Sequence, residues 1–237
     1  MKPRLQAREV SNYPGVAATQ VVDVAFALPF TQRAKTPGRL QIGLNVSGLL
    51  MNGGYAGGNQ YGLGFDYAAL TRGLIKALLA RGDCDIHLVP HVIAPHMPMD
   101  DDAAAADRLK SDYPALHRHA DFQSASAAKS FISGLDFLTG ARMHATIGAF
   151  SSGVPVVPIS YSRKFEGLFG SLGYDWLVRR DMTTDAALAR VLTALDQREV
   201  LAADIARAAP LIQAGLANYV DALAALFTTA AQKRRPR

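Results

Sequence analysis

The turn Thr139-Gly140-Ala141-Arg142-Met143-His144 gathers the residue types in this sequence best suited to chemistry. A short apolar run, Phe137-Leu138-Thr139, precedes it and a helical pattern from about Met143 to Ser152 follows. The turn therefore stands at the carboxyl end of a strand and the N-terminus of a helix, where first-turn N–H groups and the helix dipole favour an anion. Ala141 and Arg142 cannot cap those donors as Ser, Asp or Asn would, which leaves the place open to a phosphate or carboxylate. Arg142 adds a two-pronged guanidinium that suits either anion, and His144 can exchange a proton near neutral pH. The plainer reading of His144 is a helix-start histidine hydrogen-bonded to backbone.

A second cationic element, Tyr161-Ser162-Arg163-Lys164, follows the apolar segment Val154-Pro155-Val156-Val157-Pro158-Ile159, so Lys164 is predicted at the same sheet edge as Arg142. Other motifs point to less. Gly53-Gly54-Tyr55-Ala56-Gly57-Gly58 lacks the Gly-Lys-Ser/Thr ending of a P-loop and the spacing of a dinucleotide fingerprint. His87, His91 and His96 alternate along a strand broken by Pro90 and Pro95, which gives no metal geometry, although His91 lies just past a strand end and can line a pocket. There is no Gly-x-Ser-x-Gly elbow, and nothing beside Cys84 would lower its pKa. Asp100-Asp101-Asp102 reads as a helix start.

The elements that must position these residues alternate. Strands are predicted over Val21–Leu28, Leu40–Val46, Ile86–Val89, Phe137–Thr139 and Val154–Ile159, the last short or bent because of its prolines. Helices are predicted over Phe65–Arg81, ending at Gly82, over 101–111 as an acidic, alanine-rich surface helix, and over 125–133. Residues 31–38 read as a linker, and the chain ends in helices, the last interrupted near Pro210. Strands alternating with helices predict an α/β fold with a parallel sheet, whose ligands bind beyond the carboxyl ends of the strands.

Bulk properties are those of an ordinary globular chain: 237 residues, 49% apolar and 19% charged, with a net charge of +5. Lys233, Arg234, Arg235 and Arg237 supply most of that excess at the C-terminus, and no basic stripe with interleaved aromatics supports nucleic-acid binding. One cysteine excludes an intrachain disulfide. The N-terminus has no export-type apolar core, and no run approaches the ~20 uninterrupted apolar residues needed to span a bilayer, so a cytoplasmic location is expected.

Taken in order, Ile42-Gly43-Leu44-Asn45-Val46-Ser47-Gly48-Leu49, Val89-Pro90-His91-Val92, Arg142-Met143-His144-Ala145, Val154-Pro155 and Tyr161-Ser162-Arg163-Lys164-Phe165-Glu166-Gly167 resemble the polysaccharide pyruvyl transferase family over about residues 20–180. The resemblance implies a Rossmann-like parallel sheet with helices on both faces, like the C-terminal domain of a glycosyltransferase-B-like fold. It implies transfer of pyruvate from phosphoenolpyruvate to saccharide hydroxyls as a ketal, with no cofactor. Carried onto this chain, Arg142, Met143, Lys164, Ser47 and Tyr161 contact phosphoenolpyruvate, His144 is the acid/base, and Asn45 and His91 line the pocket. The implied partners are a small-molecule donor and a saccharide acceptor, and a lipid-linked acceptor would bring the protein to the inner face of the membrane. Members of the family carry a further domain before the segment that begins here at Val21. The expected organisation is therefore an N-terminal segment and interdomain connection over 1–38 and a donor-binding domain over 39–237. A nucleotide-sugar glycosyltransferase and a non-catalytic remnant are the alternatives.

Overall fold

Both faces of strand β1 (Leu40–Asn45) are covered, and Gln41 through Asn45 are all buried, as expected for a strand inside a parallel sheet. The computed structural model describes residues 21–233. In it β1 is the middle of a five-stranded sheet ordered β3-β2-β1-β4-β5. The other strands are β2 (Cys84–Leu88), β3 (His117–Arg118), β4 (Phe137–Gly140) and β5 (Val156–Pro158), and all four pairings are parallel. The chain leaves β1 toward β2 and β3, then returns to the far side of β1 with β4. The topological switch point thus lies between β1 and β4, where Asn45 pairs with Gly140. A Cβ on Gly140 would lie 2.4 Å from the Asn45 Cβ, so glycine lets the two strand ends close up.

Among the described residues eight α-helices occur in order: α1 (Gly48–Met51), α2 (Tyr67–Arg81), α3 (Asp102–Asp112), α4 (Ala125–Ile132), α5 (Met143–Ser151), α6 (Arg163–Ser171), α7 (Thr184–Asp196) and α8 (Arg198–Lys233). Helix α2 packs on β2 and α7, while α5 packs on β4, β5 and α4. The core is continuous from Ile42, Leu44 and Ile86 to Phe137, Phe150 and Phe169. The α/β parallel architecture is the one that the alternation predicts.

Four local expectations are corrected. Val21–Leu28 is not a strand but holds a 3-10 turn at Val24–Ala27, because the Ala25 N–H donates to Asp23 Oδ1 and the Lys129 Nζ donates to the carbonyls of Phe26 and Leu28. Helix α3 is not a surface helix, since Asp102, Ala103, Ala105, Ala106 and Leu109 are buried. Helix α8 runs through Pro210 without a break; Pro210 is exposed, so water can satisfy the carbonyl it leaves without a donor. As a result, Arg198–Thr228 is long and apolar enough to cross a membrane by length and composition, against the sequence-based expectation. Strand β3 and helix α6 had no counterpart in the periodicity reading. The linker at 31–38 is irregular as expected but strapped to α4, with Thr31 and Arg33 N–H donating to Ser130 Oγ and Ser133 Oγ. Residues 1–20 of the expected N-terminal segment and the basic residues 234–237 lie outside the described residues.

Candidate active site at the sheet switch point

Asn45 ends β1 and joins three strand ends. Its Nδ2 donates to the Val89 carbonyl after β2 at 2.8 Å, and its Oδ1 accepts the Arg142 N–H after β4 at 2.8 Å. Asn45 is buried, and so is Ser47, whose Oγ caps α1 by accepting from Leu50 while its own N–H donates to Tyr67 Oη. Ser47, which the resemblance implies as a donor contact, and Asn45, which it implies as pocket lining, are thus both buried and engaged in holding the turns at the strand ends.

Arg142 is the N-cap residue of α5, and its guanidinium is already engaged. Nε donates to both carboxylate oxygens of Asp102 at 3.1 Å, and Nη2 donates to Asp102 Oδ1 and Asp100 Oδ1, each at 2.6 Å, and to the Asp100 carbonyl. Asp102 is 0% exposed and accepts three backbone N–H groups as well, from Gly48, His91 and Val92. Gly48 has to be glycine for this approach, because a Cβ there would meet the Asp101 carbonyl oxygen at 2.4 Å. Burial alone would lower the Arg142 pKa, but the hydrogen bonds and charges of Asp102 and Asp100 outweigh it and push it up. The guanidinium fork that sequence places at an anion site is thus occupied by this chain's own groups: one cation faces two carboxylates. The triple-aspartate run is more than a helix start, since only Asp101 caps α3. Three carboxylates where a cap needs one was the available signal.

What stays open at this edge is backbone. Helices α1, α2, α3, α4 and α7 have side-chain N-caps, from Ser47, Asp66, Asp101, Ser124 and Thr183. Helices α5 and α6 have none. These two follow the adjacent strands β4 and β5, so their uncapped N–H groups emerge side by side at the carboxyl edge. Lys164 lies exposed in the first turn of α6 and makes no ion pair among the described residues. Met143 is half-buried against the core. Tyr161 is half-buried beside Tyr61, ring centroids 5.2 Å apart, and Tyr55 Oη donates to Asp100 Oδ2. Tyr55 and Tyr61 bring the glycine-rich loop to the edge, a placement invisible in the motif itself.

His144 is exposed and shares with His91 a largely apolar cleft of about 610 Å³, walled by Val24 and Leu28, Lys129 and Gly148. The His91 Nδ1 is buried with no hydrogen-bond partner. Burial, opposed by Asp102 and aided by His144 and Arg142, lowers the His91 pKa to about 4. The histidines near His91 in sequence part company. His87 bonds to His119 Nε2 and Gln41 Oε1 at 2.8 Å each and stacks on His117, whereas His96 is exposed. Among the described residues no group of His, Cys, Asp and Glu could hold a metal ion.

These two histidines set a pH dependence. Burial, with His117 and His119 adding and Asp85 opposing, lowers His87 to about 4 as well. An unfolded histidine titrates near ~6.5, so between there and about 4 the unfolded chain binds protons that the folded chain excludes. Stability is expected to be full above ~6.5 and to fall by on the order of 2 kcal/mol per histidine as pH drops toward 4.5. Urea unfolding at pH 7.5 and 4.5 measures this; His87→Gln should flatten the slope, and an unchanged slope would show that His87 does not contribute.

The architecture is shared with known transferases. An O-GlcNAc transferase mutant from Thermobaculum terrenum superposes with a TM-score of 0.50 at 14% identity, covering 88% of this chain and 40% of that one. A trehalose 6-phosphate synthase from Burkholderia multivorans gives 0.49 at 11% identity, over 99% of this chain and 48% of that one. The spinosyn rhamnosyltransferase SpnG gives 0.49 at 15%, over 86% and 50%. The chain thus spans about half the length of these proteins. The first likeness shows the fold, of the glycosyltransferase-B-like class expected. No curated protein matches the sequence. A family model does, over residues 6–163, which includes Asn45, Ser47, Asp102, Arg142, His144 and Tyr161 and so most of the site described above: the chain belongs to the polysaccharide pyruvyl transferase family.

Proposed function

We propose that this chain carries the phosphoenolpyruvate-binding half of a pyruvyl transferase that builds ketals on saccharide hydroxyls. The observation that carries the reading is the pair of uncapped helix N-termini, α5 and α6, on adjacent strand ends with Lys164 in the first turn of the second. The donor has two anionic groups, a phosphate and a carboxylate, and two adjacent sets of backbone donors suit two such groups. Arg142, paired with the two carboxylates of Asp102 and Asp100, fixes the start of α5, and the donor's anionic groups fall to the helix N-termini and Lys164.

The chemistry assigns His144 its role. A proton delivered to the donor's methylene carbon makes the neighbouring carbon electrophilic; a sugar hydroxyl adds there and loses its proton. The bond from that carbon to the phosphate oxygen then breaks, phosphate departs, and a second hydroxyl closes the ketal. His144, exposed on the cleft at the start of α5, is the group to which this reading gives the proton transfer. Helix N-termini stabilise the departing phosphate. No cofactor is required, and a cytoplasmic supply of the donor fits the proposal.

Isothermal calorimetry tests it. Phosphoenolpyruvate is expected to bind, and Lys164→Ala to weaken it by about tenfold, or ~1.4 kcal/mol, without altering the thermal midpoint because Lys164 is exposed and unpaired. A flat titration with phosphoenolpyruvate alongside binding of a nucleotide sugar would replace this reading with a glycosyltransferase.

A further inference from the structure

The stripe that anchors α8 to the domain continues past the end of the domain. Leu201, Ile205, Ala208 and Ile212 are buried, and Trp176 Nε1 donates to Asp204 Oδ2 at 2.8 Å, so the first half of the helix belongs to the core. At 3.6 residues per turn, Ile212, Leu216, Leu223 and Phe227 lie on one side with Val220 and Leu226 flanking them. Asn218, Asp221 and Thr228 lie opposite. Burial fades along that stripe. Leu216 and Leu223 are half-buried, whereas Val220 is 62%, Leu226 67% and Phe227 72% exposed.

We infer that the second half of α8 lies in the surface of an anionic lipid bilayer. This inference is independent of the donor-site reading. Charge selects the occupant. From Ala208 to Gln232 the only charged residue is Asp221, on the polar side, and the sequence then closes with Lys233-Arg234-Arg235-Pro236-Arg237. An exposed apolar stripe ending in four cations suits a surface that offers acyl chains and negative headgroups together. A second helix of this chain suits it less, because helix pairing is specified by complementary charges flanking the seam and this segment has none. Crossing the bilayer is excluded for the first half, which the domain core holds, and the remaining segment has its polar residues on one side, as a helix lying flat requires.

Co-sedimentation of the full chain with vesicles tests this, comparing phosphatidylcholine alone with phosphatidylcholine plus phosphatidylglycerol. Binding is expected to the mixed vesicles only. The double change Leu226→Asp with Phe227→Asp should reduce it more than tenfold, as should replacing Lys233, Arg234, Arg235 and Arg237 with Gln or raising the salt. Circular dichroism should show the same thermal midpoint for these variants, since the altered apolar side chains are exposed. Absence of binding to mixed vesicles overturns the inference. So does binding that survives the aspartates, which would reduce the effect to a basic tail. Sedimentation velocity showing a dimer that Phe227→Asp dissociates would also overturn it, in favour of a second copy.

Discussion

Asp102→Ala is expected to lower the unfolding free energy by about 3–5 kcal/mol, the largest loss from any single exposed or buried carboxylate in this domain. The reason is the number of groups left unsatisfied. Asp102 is 0% exposed and holds the N–H groups of Gly48, His91 and Val92, besides Nε and Nη2 of Arg142. Removing it leaves a guanidinium whose side chain is 11% exposed, with Asp100 as its remaining carboxylate. Asp102→Asn should cost less, because one acceptor oxygen survives while the charge is lost. Chemical denaturation of both variants checks the order. A cycle with Arg142→Met separates the ion pair from the backbone contacts: the double variant should be more stable than the sum of the two single losses predicts. A loss below about 1 kcal/mol for Asp102→Ala would mean that the switch point does not depend on this carboxylate.

On the reading proposed above, His144→Ala is expected to reduce ketal formation by the complete enzyme by about 10²–10⁴-fold while leaving phosphoenolpyruvate affinity within about threefold, the pattern of a group needed for proton transfer rather than for binding. His144 is exposed at the cleft, so its loss should not change the thermal midpoint. His91 provides the contrast from the same cleft. Burial holds it neutral above about pH 4, so it exchanges no proton near neutrality, and His91→Gln should leave ketal formation at neutral pH largely intact. If His91→Gln abolished that activity and His144→Gln retained it, the two roles would have to be exchanged.

The candidate corner was legible because its signals are local. The Phe137–Thr139 run, the helical pattern after Met143 and the types of Arg142 and His144 all lie within a few residues of one another, and strand and helix ends are written in that range. The same holds for β1, for α2 with its end at Gly82, and for the bent strand ahead of Tyr161. Asp102 is another matter. As a helix-start aspartate it has a sufficient local explanation, and nothing within α3 shows that a guanidinium 40 residues later will reach it. Likewise, the resemblance implies Ser47 as a donor contact and Asn45 as pocket lining, and only the closure of β1 against β4 and of α1 against Tyr67 shows that both are buried.

The sequence by itself determined an α/β chain, a strand-to-helix corner carrying Arg142 and His144, and the family to which they point. The tertiary structure decided what that corner is electrically. It set two carboxylates on Arg142, left the N-termini of α5 and α6 without caps on adjacent strand ends, brought His91 beside His144, and carried α8 through Pro210 with an uncovered apolar stripe. Residue type and period are properties of a few neighbouring positions, so they can be read along the chain. Burial, pairing and the competition for a charge depend on which distant segments meet, and that is settled only when the sheet is ordered.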